Sequence, residues 1–273
     1  MAERVGAVIA GAQKCATTTL FAMLQRVPGI VTSRKKEADF FSTHPDWQNG
    51  LDEYHSLFGS TDGCRLEASP SYTMYPHKKL AVWEDIKAYN PDMRIIYIVR
   101  PPLERMRSAY KHTFERGYTK AGYEDFLLTN SLAIDTSRYA MQIEPFLETF
   151  GSEKVLLLRF REVVGEPERT IGRVTEFLRL PRADVPSGPA PHANDSKQRK
   201  YHHMFDEPGA GARLLRRLSW RAYSAYRDFK SQTLSEPPHA SLEIERAFLD
   251  LVENDIRRFE TLTGWNLSEW RTQ

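Results

Sequence analysis

The chain has 273 residues, 41% hydrophobic and 27% charged, which suits one large α/β domain or two small ones with an ample core. Formal net charge is only +2 and pI about 8.4, so bulk charge gives no reason to expect nucleic acid as a partner, and any anion site has to be local. No run reaches the roughly 18 apolar residues that a membrane span needs, and two cysteines, Cys15 and Cys64, fit a reducing compartment, so the expectation is a cytoplasmic protein without a membrane partner.

The apolar run Val5 to Ala10 predicts a buried first strand; continued to Ala12 it is about eight residues, at the lower edge for the apolar part of a secretion signal, and a strand is the expectation. Gly11-Ala-Gln-Lys-Cys-Ala-Thr-Thr-Thr19 follows, and a helical pattern through Leu20, Phe21, Met23 and Leu24 stops near Pro28-Gly29. Ile30-Val31 reads as a short strand, Trp47 to Phe58 as a helix, Cys64 to Ala68 as a strand, and Lys79 to Tyr89 as a helix ended by Asn90-Pro91. Arg94 to Val99 is the clearest buried strand, β-branched and aromatic and bounded by charge. Arg100-Pro101-Pro102 ends it and opens a helix over 103–114. Helices are expected at 139–150, 167–179 and 242–262, with a strand at Val155 to Arg159. Strands alternating with helices predict a single P-loop-like α/β domain over 1–273, a central parallel sheet flanked by helices on both faces. Residues 181–240, first rich in proline and glycine and then in arginines alternating with aromatics, are expected to form a loop and helical lid on the acceptor side.

A strand, a tight loop and a helix N-terminus at 5–24 form an anion cradle, because main-chain N–H groups and the positive end of the helix dipole converge there. Lys14 adds a full charge and the threonines add hydroxyl donors. A nucleotide-triphosphatase loop carries lysine directly after its last glycine, whereas here Lys14 stands three residues after Gly11, so the loop is P-loop-like without being a Walker A sequence. Cys15 sits inside this loop, where a disulfide would obstruct a ligand.

Four segments in order, Gly11 to Thr19, Lys36-Glu-Ala-Asp-Phe-Phe41, Glu67-Ala-Ser-Pro-Ser-Tyr72 and Ile98 to Tyr110, resemble the motifs of PAPS-dependent sulfotransferases, most nearly the heparan sulfate branch and its bacterial relatives. The resemblance runs on through Ser196-Lys-Gln-Arg199 to Trp270. It implies a transfer of the sulfuryl group from PAPS, with 3′,5′-ADP as product, to a hydroxyl or, failing that, an amine of a carbohydrate or small metabolite. Lys14, Cys15, Ala16, Thr17, Thr18 and Thr19 would hold the 5′-phosphosulfate, with Lys14 stabilising the departing phosphate oxygen. Arg100 and Ser108 would hold the 3′-phosphate, and Lys197 and Arg199 would close over the nucleotide. Arg100 also leaves the end of a central strand, where ligands bind in open α/β sheets. Glu37 would be the general base, its basicity raised by burial beside Phe40 and Phe41.

Other readings stay open at this stage. Glu37 could pair with Lys35 or Lys36; His44 or His112 could act as base; Glu67 could orient Lys14 or its neighbours, or be a charged strand end. Ala68 stands after Glu67 where heparan sulfate relatives have lysine, which removes one active-site cation. The acceptor loops are expected at 42–60, 115–135 and 205–240, with Trp47, Tyr54, Tyr118, Tyr123 and Trp220 available to an acceptor. No metal is expected, since no His, Cys and carboxylate residues gather at ligand spacing. A P-loop kinase and a non-catalytic nucleotide-binding module are the alternative functions.

Overall fold

The computed structural model describes residues 4–59, 63–181 and 238–271. β1 (Ala7–Gly11) is buried along its whole length at the centre of a parallel sheet. β2 (Ile30–Thr32), β3 (Cys64–Ala68), β4 (Arg94–Val99) and β5 (Val155–Arg159) complete the order β2-β3-β1-β4-β5. Ala7 pairs with Leu66 on one side and Arg94 on the other. The central strands read as continuous apolar runs because both faces of the sheet are covered. From β1 the chain runs to β2 and β3 on one side and then crosses to β4 on the other, so the crevice at this reversal opens at the carboxyl ends of β1 and β4.

In chain order the helices are α1 (Thr17–Leu24), α2 (Phe40–Thr43), α3 (Leu51–Ser56), α4 (Val82–Tyr89), α5 (Pro102–Glu115), α6 (Tyr123–Thr129), α7 (Ser131–Ser137), α8 (Tyr139–Phe150), α9 (Phe160–Gly165), α10 (Pro167–Phe177) and α11 (Leu242–Thr263). α1 packs with α9 and α10 on one side of the sheet, and α8 packs with α4 and α11 on the other. α11 starts at Ser241, whose hydroxyl accepts from the Ile244 N–H, and stops at Gly264 in the left-handed region at φ 68°. Its Asp255 reaches across to the start of α8 and accepts from the N–H groups of Ala140 and Met141 at 3.0 and 2.9 Å. A carboxylate there answers the unpaired amides and the positive dipole end of α8.

The predicted strands and the helices at 17–24, 82–89, 102–115, 139–150, 167–177 and 242–263 are found within a few residues of their expected bounds. Segment 47–58 departs in form: a 3-10 turn (Trp47–Gly50) precedes the short α3. α2, α6, α7 and α9 have no counterpart among the expected elements. α7 begins at Asn130, whose side chain accepts from Ala133 N–H at 2.9 Å, a capping signal that the sequence does display. Most of 181–240, including Lys197, Arg199 and Trp220, lies outside the described residues. Among the described residues no helix is long and apolar enough to cross a membrane.

The expected acceptor loops are corrected by packing. Trp47, Tyr54 and Tyr123 are buried core residues. Tyr54 stacks on Phe40 with ring centroids 4.2 Å apart, and Trp47 meets Phe41 edge-on at 5.6 Å while donating its indole N–H to Asp85 at 2.9 Å. Fully burying each such ring is favourable by about 1.5–3 kcal/mol, which outweighs leaving it exposed for an acceptor. Of the expected aromatics, Tyr118 alone among the described residues is exposed.

Candidate active site

β1 ends at Gly11, and the residue type there is forced. A Cβ at this position would come within 2.0 Å of Thr73 Oγ1 and 2.9 Å of the Tyr97 ring. Thr73 fills that space because its hydroxyl donates to the Ala10 carbonyl at 2.7 Å. The chain then turns sharply: Ala12 N–H donates to Ile98 on β4, Cys15 N–H donates back to Ala12, and Lys14 and Ala16 take left-handed φ of 70° and 66°.

α1 has no side-chain cap, and Leu20 is its first residue to bond back, to Ala16 at 3.0 Å. The N–H groups of Thr17, Thr18 and Thr19 therefore have no main-chain acceptor among the described residues, which is the condition for anion binding at a helix N-terminus. Thr17 is buried and Thr18 and Thr19 half-buried. Cys15 contributes differently from its loop neighbours. Its thiol is buried 3.8 Å from both the Tyr139 hydroxyl and the Gln13 carbonyl, and burial pushes it up to about 11, so its side chain belongs to the core below the loop.

Lys14 forms no ion pair among the described residues. Burial, with Arg116 adding repulsion, pushes its ammonium down to about 8, and Glu37 is the carboxylate acting most strongly in the opposite direction. Lys14 and Glu37 thus share one electrostatic neighbourhood, although 22 residues separate them in sequence.

Glu37 stands at φ 61°, its N–H donating to the Ala68 carbonyl at the end of β3 at 2.9 Å. The burial expected beside Phe40 and Phe41 is not found. Those rings turn into the core, while the Glu37 side chain is 54% exposed and pairs with Lys36. The ion pair considered from sequence is therefore present, at a carboxylate that remains open to an incoming group.

On the other side of the crevice, Arg100 follows β4. Its guanidinium lies over the Phe160 ring at 4.2 Å and its Nε donates to Glu104 at 3.0 Å. Nη1 and Nη2 remain uncommitted among the described residues, so the fork can take an anion edge-on. Ser108, half-buried on α5, lies two turns along the helix that Arg100 introduces.

Of the two reserve histidines, His44 at the end of α2 has Nδ1 3.0 Å from the Phe40 carbonyl and 3.1 Å from Thr43 Oγ1, bonds that engage Nδ1 and not Nε2. His112 lies on α5 near Lys14 and Arg116; burial and these two cations push it down to about 3, leaving a neutral ring that is a poor proton acceptor.

Sequence reasoning missed several supporting residues. Arg105 is fully buried; its Nε donates to Ser137 at 2.8 Å and Nη2 to the Ala133 carbonyl, fastening α7 to α5. It shares a helix face with Ala109, the one signal that it points inward. Glu67, which the sequence did single out, lies next to the end of β3 and forms no ion pair with Lys14 among the described residues. It is buried, with Tyr72 and Ser69 donating to it. Among the described residues no three His, Cys, Asp or Glu side chains are grouped to hold a metal.

A family model described as the sulfotransferase domain matches residues 6–200. Human heparan sulfate glucosamine 3-O-sulfotransferase 3B1 is 31% identical over 187 residues, 64% of this chain and 46% of that protein. The mouse heparan sulfate glucosamine 3-O-sulfotransferase 5 is 26% identical over 189 residues, 64% of this chain and 53% of that protein. The chain spans about half the length of the curated relatives it matches. Among solved structures, a sulfotransferase from Alicyclobacillus acidocaldarius is similar at a TM-score of 0.71 and 22% identity, covering 98% of this chain and 99% of its own. A mouse sulfotransferase complexed with PAP is similar at a TM-score of 0.54 and 14% identity, covering 100% of this chain and 87% of its own. At these identities the two structures establish the shared fold.

Proposed function

This chain belongs to the PAPS-dependent sulfotransferase family, and from that premise we propose that it moves the sulfuryl group of PAPS to a hydroxyl of a carbohydrate or small metabolite, with Glu37 as the base. The observation that carries this reading is the placement of Glu37 beside the loop of Lys14: its N–H is tied to Ala68, which pairs with Ile9 on β1 just ahead of that loop, and its carboxylate is accessible. A module that only bound nucleotide would have no use for that carboxylate. PAPS supplies an activated sulfuryl group whose leaving group is the 5′-phosphate of 3′,5′-ADP.

The residues fit that donor at both ends. The uncapped start of α1 and Lys14 would hold the 5′ end, and the open fork of Arg100, with Ser108, the 3′-phosphate. Glu37 takes the proton of the acceptor hydroxyl as that oxygen bonds to sulfur. Lys14 meets the charge that gathers on the departing phosphate oxygen, where a positioned cation lowers the barrier most. Transfer of this kind is loose and in-line, so alignment and fixed charge supply most of the acceleration.

The curated relatives are named for the 3-O position of a glucosamine, which favours a sugar hydroxyl over an amine here. The cation at the base is Lys36, whereas Ala68 contributes none. Glu37→Gln should lower turnover by about 10²–10⁴-fold while 3′,5′-ADP still binds; turnover at the wild-type rate overturns the base assignment. A melting scan with 3′,5′-ADP and with ATP plus magnesium separates the kinase reading, which requires the second to stabilise more.

A further inference from the structure

Glu67 is 1% exposed on β3, and no cation lies within ion-pair distance of it among the described residues. Two hydroxyl protons are directed at it instead: Tyr72 donates to Oε1 at 2.7 Å and Ser69 to Oε2 at 3.2 Å. With its proton committed in this way, each hydroxyl oxygen keeps lone pairs for a main-chain donor. Asp39 N–H donates to Ser69 Oγ at 3.0 Å, and Phe41 N–H donates to Tyr72 Oη at 3.3 Å. The third tie is Glu37 N–H to the carbonyl of Ala68, the residue that follows Glu67.

These ties hold a backbone that would not hold itself. Glu37 and Asp39 both lie in the left-handed region, at φ 61° and 54°, where each non-glycine residue costs on the order of 1 kcal/mol. The turn therefore depends on its neighbours to keep its shape. We propose that Glu67 is a positioning residue for sulfuryl transfer: as an acceptor-only carboxylate it fixes the direction of the Ser69 and Tyr72 hydroxyls, and through them the 37–41 turn that aims Glu37. The proposal rests on Glu37 being the base.

The charge state matters because direction does. A glutamine, or a protonated Glu67, places a donor where both hydroxyls need an acceptor. One hydroxyl must then turn its proton away, and the bond from Asp39 or Phe41 is weakened. Burial pushes Glu67 up to about 7, against the pull of the donors Tyr72 and Ser69; Asp39 adds to the rise. Tyr54 of α3 and Tyr89 of α4 are the other titratable groups packed near it.

The test compares wild type, Glu67→Gln, Tyr72→Phe and Glu37→Gln by hydrogen-exchange mass spectrometry, steady-state kinetics and 3′,5′-ADP titration. In Glu67→Gln, peptides covering 37–43 should exchange about tenfold faster, while those covering β1 exchange as in wild type. Its kcat should fall about 10- to 100-fold, with 3′,5′-ADP affinity within about twofold of wild type. Tyr72→Phe, which removes one relay and keeps the ring, should show a smaller change of the same kind and covers the case in which Glu67→Gln does not fold. Unchanged exchange at 37–43 in a folded variant, or unchanged kcat, overturns the proposal and leaves Glu37 as base. Wild-type turnover by Glu37→Gln instead removes the base and, with it, the catalytic purpose of the turn.

Discussion

The hydroxyl of Tyr139 donates to the main-chain carbonyl of Arg100 at 2.6 Å, tying the first residue of α8 to the residue that leaves β4. The same oxygen lies 3.8 Å from the Cys15 thiol, so one phenol stands between the two elements proposed to hold the ends of the donor. Tyr139 is buried and Asp255 fixes the amides that follow it, which leaves this hydroxyl little freedom.

Tyr139→Phe removes a buried donor and strands the Arg100 carbonyl. A loss of about 1–3 kcal/mol in urea-unfolding free energy is expected, since an unsatisfied buried acceptor carries its desolvation cost. The affinity for 3′,5′-ADP should fall as well, because Arg100 loses its anchor. Wild-type stability would show that the carbonyl finds another partner.

Arg100→Ala should weaken 3′,5′-ADP binding by about 10- to 100-fold, the range for hydrogen bonds to a charged group. Binding of 5′-AMP, which lacks the 3′-phosphate, should stay near wild type. Equal losses for both nucleotides in calorimetric titration would move Arg100 away from the 3′-phosphate. Arg100→Lys keeps the charge but loses the fork and the stacking on Phe160, so it should fall between the two.

Lys14 gives a pH signature. Its folded-state value of about 8 lies below the 10.5 of an unperturbed lysine, so between these limits the native state holds fewer protons than the unfolded chain. Its contribution to stability therefore rises as pH increases through that window, and below pH 8 the buried charge is fully unfavourable. The melting temperature of wild type relative to Lys14→Met should climb between pH 8 and 10. Over the same range kcat/KM should fall as the cation is lost, and Lys14→Arg should abolish that alkaline limb if it folds with measurable activity.

Cys15 should resist alkylation. Its buried thiol is pushed up to about 11, so almost no thiolate is present at pH 8. Iodoacetamide treatment followed by peptide mass spectrometry should label half-buried Cys64 first and leave Cys15 intact in the native protein. Rapid labelling of Cys15 would mean that the loop opens far more readily than its packing implies.

Much of the fold was legible because strand burial and helix punctuation are local. The run Arg94 to Val99 can only be a strand covered on both faces, and Pro102 can only open the helix that follows. The anion loop was readable for the same reason, as glycine, lysine and threonines lie within nine consecutive residues. The acceptor side was not. Trp47, Tyr54 and Tyr123 carry the same composition whether they face solvent or core, and only the rings they meet decide which.

What the sequence determined by itself was the order of strands and helices, the cradle at Gly11 to Thr19 and the arginine after β4. Each follows from spacing along one stretch of chain. The tertiary structure decided the pairings between stretches. It set Lys14 within the field of Glu37, placed Tyr139 between Cys15 and Arg100, and enclosed Glu67 among hydroxyls that hold the turn of the candidate base. The ties of Asp39 to Ser69, Phe41 to Tyr72 and Cys15 to Tyr139 span 30, 31 and 124 residues, and burial and hydrogen-bond direction across such separations exist only once the sheet has brought the strand ends together.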